Sequence, residues 1–188
     1  REQIRSSSFH MFRNDCDAVA AWLEETFKSK IHAALIGDTS YKYLTAWLGI
    51  QCCANVSVPL DTSNKAERIA DEINRSDCEV VFLDSNHTGD VEVFKRLCPS
   101  VKQYISIFEK TENTLFLDDI LKKYHGKKPQ KTPSEDELSA ILFTSGTTGK
   151  SKGVMLSHGN LIDNTTCEPD DSCHGEKKMT VLPVHHIF

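Results

Sequence analysis

Short apolar runs alternate with amphipathic helical segments along this chain, and that alternation constrains its fold more than any other feature. IHAALIG (31–37), EVVFLD (79–84) and LSAILFT (138–144) carry consecutive apolar residues in runs too short for buried helices, and NVSVPLD (55–61) adds a run that ends at Pro59 or just after it. Each reads as a strand covered on both faces. VKQYISIF (101–108) alternates and reads as a further strand. Between these runs, apolar residues recur at helical spacing. Val19, Leu23 and Phe27 follow a candidate N-cap at Asn14 or Asp15. Leu44, Trp47, Leu48, Gln51 and Cys52 follow Asp38, Thr39 and Ser40. Ala66, Ile69, Ala70 and Ile73 form a third set, and Val91, Phe94 and Cys98 a fourth that stops at Pro99. Leu117, Ile120, Leu121 and Tyr124 form a fifth. Strand and helix in this order predict an α/β fold, a parallel sheet with helices on both faces. Ligands in such folds gather at the carboxyl ends of the strands.

The same pass predicts the organisation. Residues 1–124 read as an α/β subdomain, and HGKKPQKTPSEDE (125–137), with two prolines, as an exposed polar linker. Residues 138–188 read as a strand, a glycine-rich loop, a second short strand GVMLSH (153–158) and a helix starting in GNLIDNT (159–165). EPDDSCHGEKK (168–178) reads as a surface loop and MTVLPVHHIF (179–188) as one more strand. A sequence that finishes in LPVHHIF, with no polar tail, reads as a truncated piece of a longer protein.

Composition excludes several classes. The chain has 188 residues with 39% hydrophobic content, enough for one sizeable core or one domain and part of another. Its net charge of −5, with no offsetting basic stretch, argues against nucleic acid as a main partner. REQIRSSSFH has no apolar run behind its charges, so no signal peptide is expected. AWLGIQCCANVSV, interrupted by Gln51 and Asn55, is too short to span a bilayer, so no transmembrane segment is expected. Seven cysteines, an odd number without C-x-x-C, read as free thiols, buried where Cys52, Cys78 and Cys98 fall in apolar patterns. They point to a reducing, cytoplasmic setting. The four N-x-S/T triplets carry little weight without an export signal.

The loop itself, TSGTTGKSKG (144–153), packs three glycines, five hydroxyl residues and two lysines into ten positions. Small residues of this kind let backbone N–H groups close around an anion. A nucleoside-triphosphatase loop would read G-x-x-x-x-G-K-[ST]. Gly149, Lys150 and Ser151 satisfy its end, but Thr144 stands where its first glycine belongs. That loop must also open directly into a helix, whereas GVMLSH carries a β-branched residue and the early Gly153. A helix beginning at Lys150 would favour the triphosphatase; a β-hairpin across Gly149 to Ser157 would not.

TSGTTGKSKG resembles instead the phosphate loop T-S-G-T-T-G-x-P-K-G of the adenylate-forming superfamily, which holds acyl-CoA synthetases, peptide-synthetase adenylation domains and luciferases. Thr144, Ser145, Gly146, Thr147, Thr148, Gly149, Lys152 and Gly153 match, as do Val154 and His158 beyond them. Ser151 departs, standing where proline is usual; proline there would stiffen the loop by about 0.4–1 kcal/mol. GIQCCANVSVPLD resembles a second family segment, with Asn55 in place of its second glycine, and LPVHHIF resembles a third, LP-x-x-H-x-F, with His186 at the histidine. From ALIGDTSY onward the chain is most similar to bacterial long-chain fatty-acyl-CoA synthetases.

The resemblance implies the Rossmann-like part of a large N-terminal domain. It also implies the activity: a carboxylic acid, first of all a fatty acid, activated by ATP and Mg2+ to an acyl adenylate, then passed to coenzyme A. Adenylation builds negative charge on pyrophosphate, which fixed donors and a cation must meet. Thr144, Ser145, Gly146, Thr147, Thr148, Gly149 and Lys152 are the implied nucleotide-binding residues, and Lys152 supplies a point charge for phosphate oxygens. His186 is implied at the acyl pocket. Lys150 falls at a variable position and reads as solvated. His158 reads as packing or capping at the next helix, and Trp47 as core. His185 and His186 make a histidine pair, but no second cluster with zinc spacing accompanies them, so no metal ligands are assigned.

No segment resembles the family's Y-G-x-T-E motif, its ribose-binding aspartate or its mobile C-terminal domain, so these residues are expected to be inactive without the remainder of the chain. Other readings stay open. Within the superfamily they are a peptide-synthetase adenylation domain or an acyl-adenylate ligase, with a carrier-protein thiol or no CoA step. Outside it they are a non-catalytic nucleotide- or acyl-binding module, and the triphosphatase.

Overall fold

A computed structural model describes residues 6–144 and 151–166. The chain runs through α1 (Phe9–Thr26), β1 (His32–Ile36), α2 (Tyr41–Cys52), β2 (Val56–Leu60), α3 (Ala66–Arg75), β3 (Cys78–Leu83), α4 (Val91–Leu97), β4 (Gln103–Ser106), β5 (Leu115–Phe116), α5 (Leu117–Lys123), β6 (Leu138–Thr144), β7 (Lys152–Ser157) and α6 (His158–Thr166). Every strand and helix expected between residues 14 and 166 is present near its expected place. One boundary differs. α1 starts at Phe9, not after Asn14 or Asp15, because Ser8 accepts the Met11 N–H at 3.1 Å and caps the helix. The early turn carries exposed Phe9 and Met11, so it shows no apolar periodicity.

The strands form one sheet in the order β5-β4-β3-β1-β2-β6-β7. All neighbours are parallel except β6 and β7, which are antiparallel. The fold class is therefore α/β with a mostly parallel sheet, as the alternation of elements predicts. Alternate residues of each central strand feed two cores. Ala33, Leu35, Val80 and Phe82 pack with Trp22, Leu23, Tyr43, Ile50 and Leu117, from α1, α2 and α5. Ala34, Ile36, Val81 and Leu83 pack with Ile69, Ile73, Val91 and Phe94, from α3 and α4. Both faces are covered, which is why the strands read as continuous apolar runs. VKQYISIF alternates in sequence, yet its strand too is covered on both faces: Tyr104, Ile105 and Ser106 are all buried.

Segment 125–137 is largely exposed yet fastened to α1. The Glu24 carboxylate accepts the N–H groups of Gln130 and Lys131, each at 2.8 Å, and Glu25 accepts from Tyr124 and Lys127. It delivers the chain to β6, whose Ala140 lies level with Ser57 of β2. Trp47 is half-buried against the core, its indole N–H donating to Ser57 Oγ at 2.9 Å, and Ser57 Oγ donates on to the Ser139 carbonyl. The described cysteines are free thiols, with Cys16, Cys53, Cys78 and Cys98 buried and Cys52 half-buried. Burial pushes the Cys78 thiol up to about 12. Among the described residues no helix is long and apolar enough to cross a membrane.

Candidate functional site

β6 and β7 form a hairpin that brackets the glycine-rich loop. Thr144, the last residue of β6, pairs with Lys152, the first of β7, and Phe143 pairs with Gly153. The Thr144 hydroxyl lies 3.5 Å from the Lys152 carbonyl. Gly153 sits close to the neighbouring strand: a Cβ there would lie 3.0 Å from Ile141 Cγ2, so a side chain would require that methyl to shift. After the loop the chain continues as a strand, and the next helix, α6, begins only at His158. A triphosphatase loop requires a helix directly after its lysine; the strand at Lys152–Ser157 excludes that geometry here.

Of the residues expected to hold nucleotide, Thr144 and Lys152 are thus brought together at the open end of the hairpin. Both are exposed, and among the described residues no carboxylate forms an ion pair with Lys152. Thr144 ends a strand that runs parallel to β2, so the loop leaves the sheet at a strand carboxyl end, where α/β folds place ligands. Ser145, Gly146, Thr147, Thr148, Gly149, Lys150, His185 and His186 lie outside the described residues. His158 opens α6, its N–H donating to the Glu137 carbonyl at 3.0 Å. Burial, reinforced by Lys30, holds its imidazole below the ordinary histidine pKa.

Two residues that sequence reading passes over, Glu72 and Arg75, converge on Ser151, where the chain enters β7. Arg75 Nη2 donates to the Ser151 carbonyl at 2.7 Å, and Nη1 to its hydroxyl at 3.3 Å. The Ser151 hydroxyl donates to Glu72 Oε1 at 2.7 Å. The Arg75 guanidinium also lies over the Phe143 ring, 5.3 Å from its centroid. Ser151 is 6% exposed and Glu72 2%. On a helical wheel Glu72 and Arg75 read as ordinary polar residues of α3; nothing local signals that the hairpin folds against them.

Asn55 is the other departure from the family pattern, and it too has a structural use. Its Oδ1 accepts the Ile31 N–H at 2.9 Å, and its Nδ2 donates to Cys53 Sγ at 3.0 Å. The left-handed backbone that a glycine would supply falls one residue earlier, on Ala54, with φ of 61°.

Comparison with known proteins is consistent with this geometry. Long-chain-fatty-acid–CoA ligase 5 of Rattus norvegicus is 38% identical over 155 residues, covering 71% of this chain and 22% of that protein. A nonribosomal peptide synthetase of Aspergillus flavus is 28% identical over 153 residues, covering 77% of this chain and 2% of that protein. The chain thus spans about a fifth or less of these two relatives. Among solved structures, the A-PCP didomain of carboxylic acid reductase from Segniliparus rugosus, in complex with AMP, superposes with a TM-score of 0.75 at 19% identity, over 85% of this chain and 26% of that one. The last of these supports the fold alone. The AMP-binding enzyme family matches residues 2–188, and the chain belongs to that family.

Proposed function

We propose that this chain supplies the phosphate-holding hairpin of an enzyme that activates a fatty acid with Mg-ATP and transfers the acyl group to coenzyme A. The observation that carries the reading is the β6–β7 hairpin. It sets an exposed Lys152, with no carboxylate ion pair among the described residues, beside Thr144 at the two ends of a glycine- and hydroxyl-rich loop. Those residues fit a polyphosphate. A lysine head group is a mobile point charge suited to phosphate oxygens, and Ser145, Thr147 and Thr148 add hydroxyl donors from the loop. In the proposed reaction the carboxylate attacks the α-phosphorus, the bond to pyrophosphate breaks, and Lys152 meets the charge that develops on the leaving group. Gly146 and Gly149 let the backbone approach, and His186 is assigned to the acyl side. Mg2+ would supply further charge neutralisation through the ATP phosphates. The fatty-acid assignment is supported by the similarity to the rat long-chain-fatty-acid–CoA ligase.

Carboxylate-dependent ATP–pyrophosphate exchange, measured on the full-length protein over a panel of acids, tests this. Long-chain acids should support exchange, and Lys152→Ala should lower kcat/KM about 10²–10³-fold, the usual effect of losing one preorganised charge donor. No exchange with any acid would sink the enzymatic reading, and exchange indifferent to Lys152→Ala would remove the role given to that lysine. The 188 residues by themselves are proposed to be inactive; adenylation by the isolated chain would overturn that.

A second reading concerns the acceptor. The peptide-synthetase relative favours transfer to a carrier-protein thiol instead of coenzyme A. Mass analysis of the product formed with adenylated acid and free coenzyme A separates the two, since only the first reading yields an acyl-CoA thioester.

A further inference from the structure

Ser151 stands where a proline would stiffen the exit of the phosphate loop, yet it is buried and triply bonded. Its hydroxyl donates to Glu72 Oε1 and accepts from Arg75 Nη1, and its carbonyl accepts from Arg75 Nη2 at 2.7 Å. Glu72 is an unusual residue to find there. It is 2% exposed, between Ile69 and Ile73 in sequence register on α3, and its Oε2 has no hydrogen-bond partner among the described residues. Burying a carboxylate is costly, and α3 would pack on the sheet without one. Arg68 reaches it only at 3.7 Å. The closest interaction made by that carboxylate is with Ser151. Arg75 completes the arrangement by gripping both Ser151 and the Phe143 ring, so it holds the two strands of the hairpin at once, immediately before Thr144 and immediately before Lys152.

We propose that Glu72 and Arg75 are positioning residues for nucleotide binding, acting through Ser151 to fix where Lys152 enters the site. This rests on the phosphate-holding role given to the hairpin above. Neither α3 residue is assigned a contact with the nucleotide. The tether does by tertiary hydrogen bonding what a proline ring would do by restricting φ. A bidentate guanidinium is required, because a lysine at 75 cannot hold the carbonyl and the hydroxyl in one plane.

The test is a KM-against-kcat comparison in ATP–pyrophosphate exchange on the full-length protein. Ser151→Ala and Arg75→Lys should each raise KM for MgATP several-fold, and Arg75→Ala about tenfold, with kcat less affected; because Ser151→Ala leaves the buried Glu72 carboxylate without its closest partner and lowers the melting temperature, each variant is assayed at a temperature where it is fully folded. Ser151→Ala combined with Glu72→Gln should cost little more than either alone, as expected of partners in one contact. Ser151→Pro placed in the Arg75→Ala background should recover part of the lost MgATP affinity, an outcome a purely structural arginine would not give. Unchanged KM in Arg75→Ala and Ser151→Ala overturns the tether, as does a KM loss that only follows the loss of fold. If Arg75→Ala does not fold, Ser151→Ala combined with Glu72→Gln, which removes the hydroxyl and the buried charge together, decides by its KM. The wild type separates the two levels. Exchange by the wild type with no effect of the variants defeats the tether alone, whereas no exchange with any acid defeats the phosphate-loop reading and the tether with it.

Discussion

Asn55 makes two buried contacts that a glycine could not. Ile31, just before β1, donates its N–H to Asn55 Oδ1, while the amide nitrogen reaches Cys53 Sγ. The residue is 4% exposed, so water cannot stand in for either partner. Removing the side chain leaves a buried backbone donor unpaired, which costs about 1–3 kcal/mol. Asn55→Ala should therefore lower the unfolding free energy by about that amount, read as a drop in the urea midpoint with unchanged slope. Ala54→Gly is the contrasting change. Ala54 adopts φ of 61°, a conformation costing a side-chain-bearing residue roughly 1–2 kcal/mol. Relief of that strain is partly offset by the freedom glycine gains in the unfolded chain, about 0.4–1 kcal/mol. The expected outcome is a midpoint that holds or rises. A fall in Ala54→Gly as large as that in Asn55→Ala would show that the turn, not the amide, carries the stability.

At the scale of elements, α1 and α2 cross at Gly49. A Cβ at that position would lie 2.6 Å from Val19 Cβ and 3.0 Å from the Cys16 carbonyl. No side chain there is flexible enough to yield cheaply, since Val19 is 0% exposed. Gly49→Ala should destabilise by about 1–3 kcal/mol despite its better helix propensity, because overpacking outweighs it; calorimetry would detect this as a lower melting temperature. The same elements show what the sequence makes legible. β1, β2, β3 and β6 announce themselves because two-sided burial forces consecutive apolar residues. α2 announces itself through the helical spacing of Leu44, Trp47, Leu48, Gln51 and Cys52, and Ser40 caps it by accepting the Tyr43 N–H. β5 does not, because two residues hold no period, and neither does the first turn of α1, whose Phe9 and Met11 face solvent. The site divides in the same way. Thr144 and Lys152 are found from a local motif, and the hairpin between them follows from residues that disfavour helix. Glu72 and Arg75 are not found, because their meaning depends on β7 returning to α3 from 76 residues away.

At the scale of the whole molecule, one sheet gathers β6 beside β2 and so ties the loop-bearing hairpin to the helical layers. His158 sits at the closing corner of that assembly, where β7 turns into α6. Its backbone bonds Glu137, the residue before β6, and Glu137 in turn faces Lys30 at 3.9 Å, beside β1. Burial and Lys30 disfavour the imidazolium, with Glu137 opposing them. The folded pKa is therefore below that of the unfolded chain, about 6.5. Well above pH 6.5 the ring is neutral in both states and His158 contributes no pH dependence. As pH falls, the unfolded chain takes up the proton first, and stability is lost progressively until the folded pKa is passed. His158→Asn removes this titration. Thermal unfolding from pH 7.5 to 5.5 should show the wild type's stability relative to the variant shrinking as the medium is acidified. A relative stability that stays constant would mean that Glu137 cancels burial and Lys30, and one that grows toward pH 5.5 that Glu137 outweighs them; either overturns the expectation.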